Sequence, residues 1–172
     1  THRHTLFPYT TLFRSRGRRR MKLLFVCLGN ICRSPLLEAV ARTRFAAAGL
    51  VTRIASAGTG GWHAGEGADP RAVEAGRARG YDLSHHTARQ VRADDFDDFD
   101  LVLAADASNL RVLRERAPVV AHERIVLALR CAGIAQPGEV PDPYYGGVRD
   151  FEHVVDLSER IADGLIAKLS PR

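Results

Sequence analysis

The pattern of hydrophobic residues predicts strands and helices that alternate along this chain. Residues 22–27 are largely apolar without helical spacing, a pattern typical of a strand that is covered on both faces. Residues 51–58 alternate between apolar and polar positions, and residues 100–106 and 124–129 form two further short apolar runs. These four segments predict four strands.

Helical signals lie between the predicted strands. Ser34 is a good N-cap and Pro35 fits the first helical position, so we predict a helix that begins there and ends near Gly49. Further helices are predicted over residues 71–80, 108–117 and 151–169. Strands that alternate with helices indicate an α/β fold, in which right-handed crossovers join a parallel sheet with helices on both faces. Such open sheets bind ligands at the carboxyl ends of their strands, where Cys27 lies.

The composition is that of an ordinary globular domain. The chain has 172 residues, of which 45% are hydrophobic, enough for one full core. No apolar run approaches the roughly 18 residues of a membrane span, so we expect no membrane contact. Three cysteines are too few for a disulfide framework, which favours a reducing, cytoplasmic setting.

The net charge of +5 is concentrated at the start of the chain. Residues 1–20 contain six arginines and no acidic residue, whereas the rest carries 19 basic and 20 acidic residues. Such an arm is typical of a nucleic-acid-binding or targeting segment. However, TLFPYTTLFRS, residues 5–15, resembles the translation of a sequencing-adapter oligonucleotide. We therefore expect residues 1–20 to be a disordered, artefactual extension, residues 21–172 to form the domain, and nucleic acid not to be a partner.

The segment LLFVCLGNICRSP, residues 23–35, carries the candidate chemistry. We expect residues 28–31 to wrap back so that several backbone N–H groups converge on one point, a geometry that Gly29 permits. The following helix adds its N-terminal N–H groups and the positive end of its dipole, which together make an oxyanion site. Arg33 supplies a planar fork that suits two oxygens of a phosphate.

Cys27 is the candidate nucleophile at the base of this loop. The same donors and helix dipole favour its thiolate, which is then poised to attack phosphorus and form a phosphocysteine intermediate. Ser34 is placed to donate a hydrogen bond to the sulfur, which favours the thiolate as leaving group in a second step. The alternative is a buried cysteine that simply ends a core strand.

The sequence VCLGNICRSP resembles the active-site loop of the low-molecular-weight protein tyrosine phosphatases, and the resemblance extends from about residue 22 to the final helix. It implies a flavodoxin-like, three-layer fold with a four-stranded parallel sheet and neither metal nor organic cofactor. By resemblance, Cys27 is the nucleophile and Arg33 binds phosphate, while Asn30 and Ser34 hold the loop in shape. The loop residues implied to bind substrate are Leu28, Gly29, Asn30, Ile31, Cys32 and Ser34.

Cys32 has two compatible interpretations. In the family this second cysteine forms a reversible disulfide with the nucleophile, which protects the nucleophile from over-oxidation. A small apolar residue that fills space beneath the loop would also fit. Cys131 has no partner in sequence and is expected to be inert.

The segment VPDPYYGG, residues 140–147, is the candidate source of a general acid. A phosphotyrosine leaving group needs a proton, and the prolines on either side of Asp142 stiffen the loop that would present its carboxyl group. Composition alone favours a polar turn here, because Asp-Pro is common in turns. The Asp-Pro-Tyr motif of the family instead implies that Asp142 is the acid and later the base.

Three aromatic residues are candidates for the rim of the cleft. The family resemblance implies that Tyr144 and Tyr145 wall the cleft and stack on the aromatic substrate. An isolated tryptophan is more often a core anchor. For Trp62, the glycine-rich loop around it and the family's aromatic residue in that loop favour the rim.

Two polar clusters invite other functions. The adjacent His85 and His86 suggest zinc, but adjacent side chains diverge and no further ligand type lies nearby. The family's His-x-Ala-Arg-Gln stretch selects His86 as a supporting residue that hydrogen-bonds Asn30. The acidic run RADDFDDFD, residues 92–100, is predicted to be a solvated face.

These observations predict a cytoplasmic protein tyrosine phosphatase, with secretion as an effector left open. Its partners would be phosphotyrosine proteins, including a bacterial tyrosine kinase, and it would be a monomer or a weak dimer. One alternative is an arsenate reductase of the same fold, which needs a further pair of cysteines that residues 101–113 do not contain. Another is a non-catalytic phosphotyrosine-binding module, which would not require both Cys27 and Asp142.

Overall fold

A computed structural model describes residues 20–50 and 52–170. Its sheet has four strands, β1 Met21–Cys27, β2 Thr52–Gly58, β3 Leu101–Ala104 and β4 Ile125–Leu127. All neighbours pair in parallel, in the order β2-β1-β3-β4. This confirms the predicted flavodoxin-like α/β fold, in which the strand order reverses between β1 and β3. The prediction for residues 1–20 falls, apart from Arg20, outside the described residues.

Helices cover both faces of this sheet. The helical segments are α1 Arg33–Ala47, α2 Pro70–Arg77, α3 Asp95–Asp98, α4 Ala107–Arg116, a 3-10 helix Val119–Arg124, α5 Ala128–Cys131 and α6 Val148–Leu169. Alternate residues of β1 enter two separate cores: Leu23 and Phe25 pack with α1 and α6, whereas Leu24 and Val26 pack with the segment from α3 to the 3-10 helix. The period of two along β1 therefore buries both faces. In the described part of the chain, no helix has both the length and the apolar character to cross a membrane.

Several predicted boundaries differ from the structure by a few residues, and two of them are wrong for reasons that the local contacts show. Ser34 is not the N-cap of α1; Cys32 holds that position without a side-chain cap, and Ser34 lies inside the first turn. The Ser34 hydroxyl is instead used by buried neighbours, and Pro35 is tolerated because N–H groups of the first turn have no helical partner. The fourth strand ends at Leu127 rather than residue 129, because Ala128 and Leu129 begin α5.

The acidic run over residues 92–100 is also not simply a solvated face. Asp95, the first residue of α3, is buried, and its carboxylate accepts hydrogen bonds from Arg89 Nη1 and Nη2 at 2.9 and 3.0 Å and from Arg92 N at 2.7 Å. Phe96 and Phe99 are buried in the second core. Asp94 and Asp97, their neighbours around the same short helix, are exposed. Composition does not reveal which acidic residues of this run are buried.

Candidate active site

A tight loop joins the carboxyl end of β1 to α1. Asn30 has a φ of 57°, in the left-handed region that reverses the chain direction. The end of β2 lies against the back of this loop, where Thr59 N donates to Cys27 O and Gly60 N donates to Leu28 O, both at 2.9 Å. A Cβ atom at Gly58 would lie 2.7 Å from Leu28 O, so glycine is required for this approach.

Asn30 connects the loop to three other segments and is fully buried. Its Nδ2 donates to Ser34 Oγ at 2.8 Å and to Ser56 Oγ at 2.9 Å, and its Oδ1 accepts from Arg89 N at 2.9 Å. The ring of His86 makes the expected contact, with Nε2 2.7 Å from Asn30 O. A left-handed residue with this many partners is held in one conformation.

Cys27 lies at the base of the loop, and its side chain is almost fully buried. Its Sγ is 3.0 Å from Ser34 Oγ. Because Asn30 Nδ2 already donates to that oxygen, the Ser34 hydroxyl proton is directed toward the sulfur or toward Ala57 O, which is more distant at 3.4 Å. The shorter contact favours a hydrogen bond that stabilises negative charge on Cys27.

Arg33 is buried in the first turn of α1, although arginine is rarely buried without a partner. Its Nη1 donates to Asp106 Oδ2 at 2.6 Å and to Val140 O at 3.1 Å, and its Nη2 lies 3.7 Å from Asp142 Oδ2. Burial alone would lower the pKa of Arg33. The negative charge of Cys27 and the hydrogen bond to Asp106 outweigh this and raise that pKa above its ordinary value.

Cys32 and Cys131 have different surroundings from Cys27. Burial raises the pKa of the Cys32 thiol far above its ordinary range, and the nearby negative charge of Asp69 raises it further. Burial also raises the pKa of Cys131 to about 11. All three cysteines are free thiols. Cys32 is buried in the core cluster that also contains Phe25 and Leu36, as a space-filling residue would be.

Asp142 lies on the connection between α5 and α6, opposite the loop. Its side chain is half exposed, and its Oδ1 accepts from Tyr144 N at 3.1 Å. The rings of Tyr144 and Tyr145 meet edge to face, with centroids 5.0 Å apart, and Tyr145 is almost completely exposed. A mobile substrate could therefore reach Asp142 and both tyrosines from solvent.

The glycine-rich segment after β2 carries exposed side chains. Trp62 is 69% exposed and is therefore not a core anchor; its ring lies against Gly60. His63 lies next to the loop, because a Cβ atom at Gly29 would be 3.0 Å from His63 Cδ2. The ring of His63 is tied to Glu66, with Nδ1 2.7 Å from Glu66 Oε2. Leu28 is exposed at the mouth of the loop.

Sequence reasoning missed several of these residues. Asp106 was detectable, since it follows β3 at the same edge of the sheet where Cys27 follows β1. Ser56 and Gly58 carried no local signal, because their importance comes from the approach of a loop that is distant in sequence. His85 is exposed, with Nε2 3.9 Å from Asp82 Oδ2, whereas the His86 ring contacts Asn30 O. Among the described residues, no group of three or more His, Cys, Asp or Glu side chains could hold a metal ion.

Comparisons with known proteins identify the family. Residues 22–172 match the family described as low molecular weight phosphotyrosine protein phosphatase. The chain is 48% identical over 151 residues to the low molecular weight protein-tyrosine-phosphatase of Streptomyces coelicolor. This match covers 85% of the present chain and 92% of that protein. It is 42% identical over 148 residues to the low molecular weight phosphotyrosine protein phosphatase of Schizosaccharomyces pombe, with 82% and 94% covered.

A solved structure of a protein tyrosine phosphatase from Entamoeba histolytica, with Hepes in the active site, superimposes with a TM-score of 0.83. That chain is 41% identical, and the match covers 87% of this chain and 96% of the other. The present chain belongs to the low molecular weight phosphotyrosine protein phosphatase family. It is accordingly a protein-tyrosine-phosphatase, as the resemblance predicted.

Proposed function

We propose that this phosphatase works through a covalent phosphocysteine intermediate on Cys27, with Arg33 binding phosphate and Asp142 moving protons. The observation that carries this proposal is the buried Arg33 side chain, which begins beside the Cys27 loop and ends 3.7 Å from Asp142. One guanidinium group thus links the candidate nucleophile to the candidate acid. The other parts of the mechanism follow from what surrounds these three side chains.

Substrate binding uses the backbone of residues 28–33 and the N-terminus of α1. The converging N–H groups and the helix dipole attract the phosphate dianion, and the Arg33 fork binds two of its oxygens. Asp106 and Val140 O hold the guanidinium in place before substrate arrives. Such pre-arranged donors stabilise charge in the transition state without reorganising.

In the first step, the Cys27 thiolate attacks phosphorus and the bond from phosphorus to the tyrosine oxygen breaks. The departing phenolate would be a poor leaving group because a free tyrosine has a pKa of about 10, so Asp142 donates its proton to that oxygen. The products of this step are neutral tyrosine, phosphocysteine and the Asp142 carboxylate.

In the second step, the Asp142 carboxylate accepts a proton from water as the water oxygen attacks phosphorus. The bond from sulfur to phosphorus breaks and leaves inorganic phosphate and the Cys27 thiolate. The Ser34 hydroxyl, 3.0 Å from the sulfur, stabilises the charge that returns to it. Enzyme and protons are then restored, so the cycle needs no cofactor.

The rim supports phosphotyrosine proteins as substrates. Trp62, Tyr144 and Tyr145 are exposed large aromatic residues that can pack against a substrate ring. We propose that a bacterial tyrosine kinase is among the physiological partners and that the enzyme acts in the cytoplasm, as the low cysteine count indicates. We further propose that residues 21–172 form the catalytic domain.

Hydrolysis of an aryl phosphate by the full chain tests the mechanism. Cys27→Ser should abolish turnover, whereas Cys131→Ala should retain it, because Cys131 is an inert buried thiol. Asp142→Asn should lower kcat/KM for phenyl phosphate by about 100-fold or more, the range for a lost general acid. Asp142→Asn quenched in acid during turnover of p-nitrophenyl phosphate should carry phosphate on Cys27 by mass spectrometry, because this acidic leaving group departs with little help from Asp142 while the loss of the base slows the second step.

Two results would overturn this proposal. Turnover by Cys27→Ser would exclude the nucleophile, and an unmodified Cys27 in quenched samples that turn over would exclude the covalent intermediate. A folded wild-type protein that hydrolyses no aryl phosphate would return attention to thiol-coupled arsenate reduction and to phosphopeptide binding, which the same samples can measure.

A further inference from the structure

Arg71 lies between the two sides of the candidate site, although the mechanism above does not use it. It is the second residue of α2, and 42% of its side chain is exposed. One side of the cleft is the loop that carries Cys27, and the other is the segment 142–146 that carries Asp142. The contacts of Arg71 reach both sides.

On the side of the Cys27 loop, Arg71 is anchored through Asp69. Asp69 N donates to Ile31 O at 2.8 Å, so the backbone at Asp69 is fixed to the loop. The Asp69 carboxylate accepts from Arg71 N at 2.8 Å, from its Nε at 3.1 Å and from its Nη2 at 2.9 Å. A two-pronged ion pair of this kind sets the plane of the guanidinium group.

On the other side, the same guanidinium contacts the segment that carries Asp142. Its Cζ lies 5.5 Å from the centroid of the Tyr144 ring and 4.7 Å from that of Phe151, and its Nη1 donates to Gly146 O at 3.4 Å. Tyr144 N in turn donates to Asp142 Oδ1 at 3.1 Å. A continuous series of contacts therefore runs from Ile31 through Asp69, Arg71 and Tyr144 to Asp142.

We propose that Arg71 is a positioning residue that holds Asp142 at the right distance from the Cys27 loop, acting through Tyr144 and Gly146. Cation–π stacking and a bidentate ion pair are directional, so together they restrict the segment 142–146 more than either would alone. Asp142 is half exposed on a loop, and small displacements of a proton donor are costly to catalysis. The inference rests on the proposed role of Asp142 as the general acid.

A residue that acts through the acid has a distinctive kinetic signature. Protonation matters greatly when the leaving group is a weakly acidic phenol and little when it is an acidic nitrophenol. The loss on changing Arg71 should therefore be large for phenyl phosphate and small for p-nitrophenyl phosphate. The parameter to compare is kcat/KM, which covers the steps through the first bond cleavage, where Asp142 donates its proton.

The experiment uses the full chain and five variants, Arg71→Met, Arg71→Lys, Asp142→Asn, the double variant Arg71→Met/Asp142→Asn, and Arg77→Met as control. Arg77 lies on the same helix, is also exposed and is also paired with a carboxylate, that of Glu74, through two hydrogen bonds. Arg71→Met should lower kcat/KM about tenfold for phenyl phosphate and about twofold for p-nitrophenyl phosphate, the scale of a displaced acid. Arg71→Lys should fall in between, and Arg77→Met should match wild type on both substrates.

Two further readouts separate positioning from substrate binding and from a structural role. In the Asp142→Asn background, Arg71→Met should cause no further loss, because the residue has nothing left to position. Inhibition by inorganic phosphate should be unchanged in Arg71→Met, since the phosphate site is the loop and Arg33. Thermal melts establish whether each variant is folded at the assay temperature. If Arg71→Met is not folded, Arg71→Lys takes its place in the comparison of the two substrates.

The outcomes distinguish this inference from the mechanism on which it rests. Equal losses on both substrates, an additive loss in the double variant, or weaker phosphate inhibition would each overturn the role of Arg71. If Asp142→Asn itself affects both substrates equally, the assignment of Asp142 as acid fails instead. If the loss of kcat/KM in Asp142→Asn depends on the substrate but the loss in Arg71→Met does not, the role of Arg71 is refuted while that of Asp142 stands.

Discussion

At the scale of single residues, backbone geometry matters as much as reactive side chains. The loop that carries Cys27 keeps its shape because Asn30 adopts a left-handed conformation and bonds to four surrounding groups. Gly58, on a different strand, leaves the space that the loop backbone occupies. Neither residue is chemically reactive, and we nevertheless expect a change at either one to lower activity.

Gly58→Ala tests the close approach of β2 to the loop. Because the new Cβ atom would lie 2.7 Å from Leu28 O and 3.1 Å from Asn30 N, the loop backbone must shift. Overpacking of this kind costs about 1–3 kcal/mol of unfolding free energy, and we expect kcat/KM to fall at least about tenfold. Gly138→Ala is the matched control, since nothing lies within 4 Å of its Cβ position. Wild-type kinetics in Gly58→Ala would contradict the argument.

Asp106 should contribute charge as well as geometry. Its Oδ2 accepts from Arg33, and its Oδ1 caps α4 by accepting from Asn109 N at 2.7 Å. Asp106→Asn retains an oxygen for the N-cap, but it loses both the charge and the second oxygen that accepts from Arg33. We therefore expect a loss of about tenfold in kcat/KM, with the contribution of the N-cap to stability retained. Asp106→Ala should lose about 1 kcal/mol more of unfolding free energy, measured in urea. Equal activity in Asp106→Asn and wild type would show that the charge is dispensable.

At the scale of elements, short helical turns anchor the segments that support the loop. Asp95 in α3 fixes Arg89, and Arg89 N donates to Asn30 Oδ1. The Asp69 carboxylate caps α2, and the backbone N–H of Asp69 donates to Ile31 O. Both carboxylates therefore stabilise a piece of structure whose backbone contacts the candidate site directly.

Asp95→Ala should be destabilising in a way that its acidic neighbours are not. It removes two hydrogen bonds to Arg89 and one to Arg92 N. We expect a loss of about 2 kcal/mol in unfolding free energy, below the range for a fully buried pair because Arg89 is partly exposed. Asp97→Ala, on the exposed side of the same turn, should change stability by less than about 0.5 kcal/mol. Similar losses for the two variants in urea titrations would exclude a special role for Asp95.

Asp69 should make stability depend on acid pH. Its hydrogen bond from Arg71 holds the pKa of the Asp69 carboxyl below its ordinary value in the folded state. The resulting stabilisation is fully present above the unfolded-state pKa of about 3.9 and is lost as pH falls through the folded value. Asp69→Asn keeps the N-cap but cannot ionise, so its deficit relative to wild type should be largest near pH 7 and shrink below about pH 4. A deficit that is constant from pH 7 to pH 3 would rule out this linkage.

The secondary structure and the Cys27 loop were predictable because their signals are local in the sequence. The contacts that support the loop were not, because they join segments that are distant in sequence. β1 is a continuous apolar run and α6 has a strong helical period, and the loop between β1 and α1 combines a cysteine, a glycine and an arginine at a strand end. The predicted N-cap of α1 was wrong because the Ser34 hydroxyl interacts with Cys27 Sγ and Asn30 Nδ2 instead. Contacts such as that between Gly58 and the loop depend on tertiary approach, which no local pattern records.

At the scale of the whole molecule, the parallel sheet gathers distant segments at one edge. The carboxyl ends of β1 and β3 are neighbours at the point where the strand order reverses, which places Cys27 and Asp106 near each other. Arg33 reaches Val140 O, 107 residues further along the chain. Because both faces of the sheet are buried, these strand ends are rigid supports for loops that come from four different connections.

Removing residues 1–20 tests whether residues 21–172 fold and catalyse without them. The match to the family begins at residue 22, and the segment removed contains six arginines and no acidic residue. A chain that begins at Met21 should keep the kcat/KM and melting temperature of the full chain, because the sheet edge, the loop and both cores lie within residues 21–172. It should also lose retention on a DNA column at low salt, since its net charge falls from +5 to −1, with 19 basic and 20 acidic residues remaining. A lower melting temperature or weaker catalysis in the shorter chain would mean that the arginine-rich segment belongs to the folded enzyme, and DNA retention by the shorter chain would place a nucleic-acid site on the domain itself.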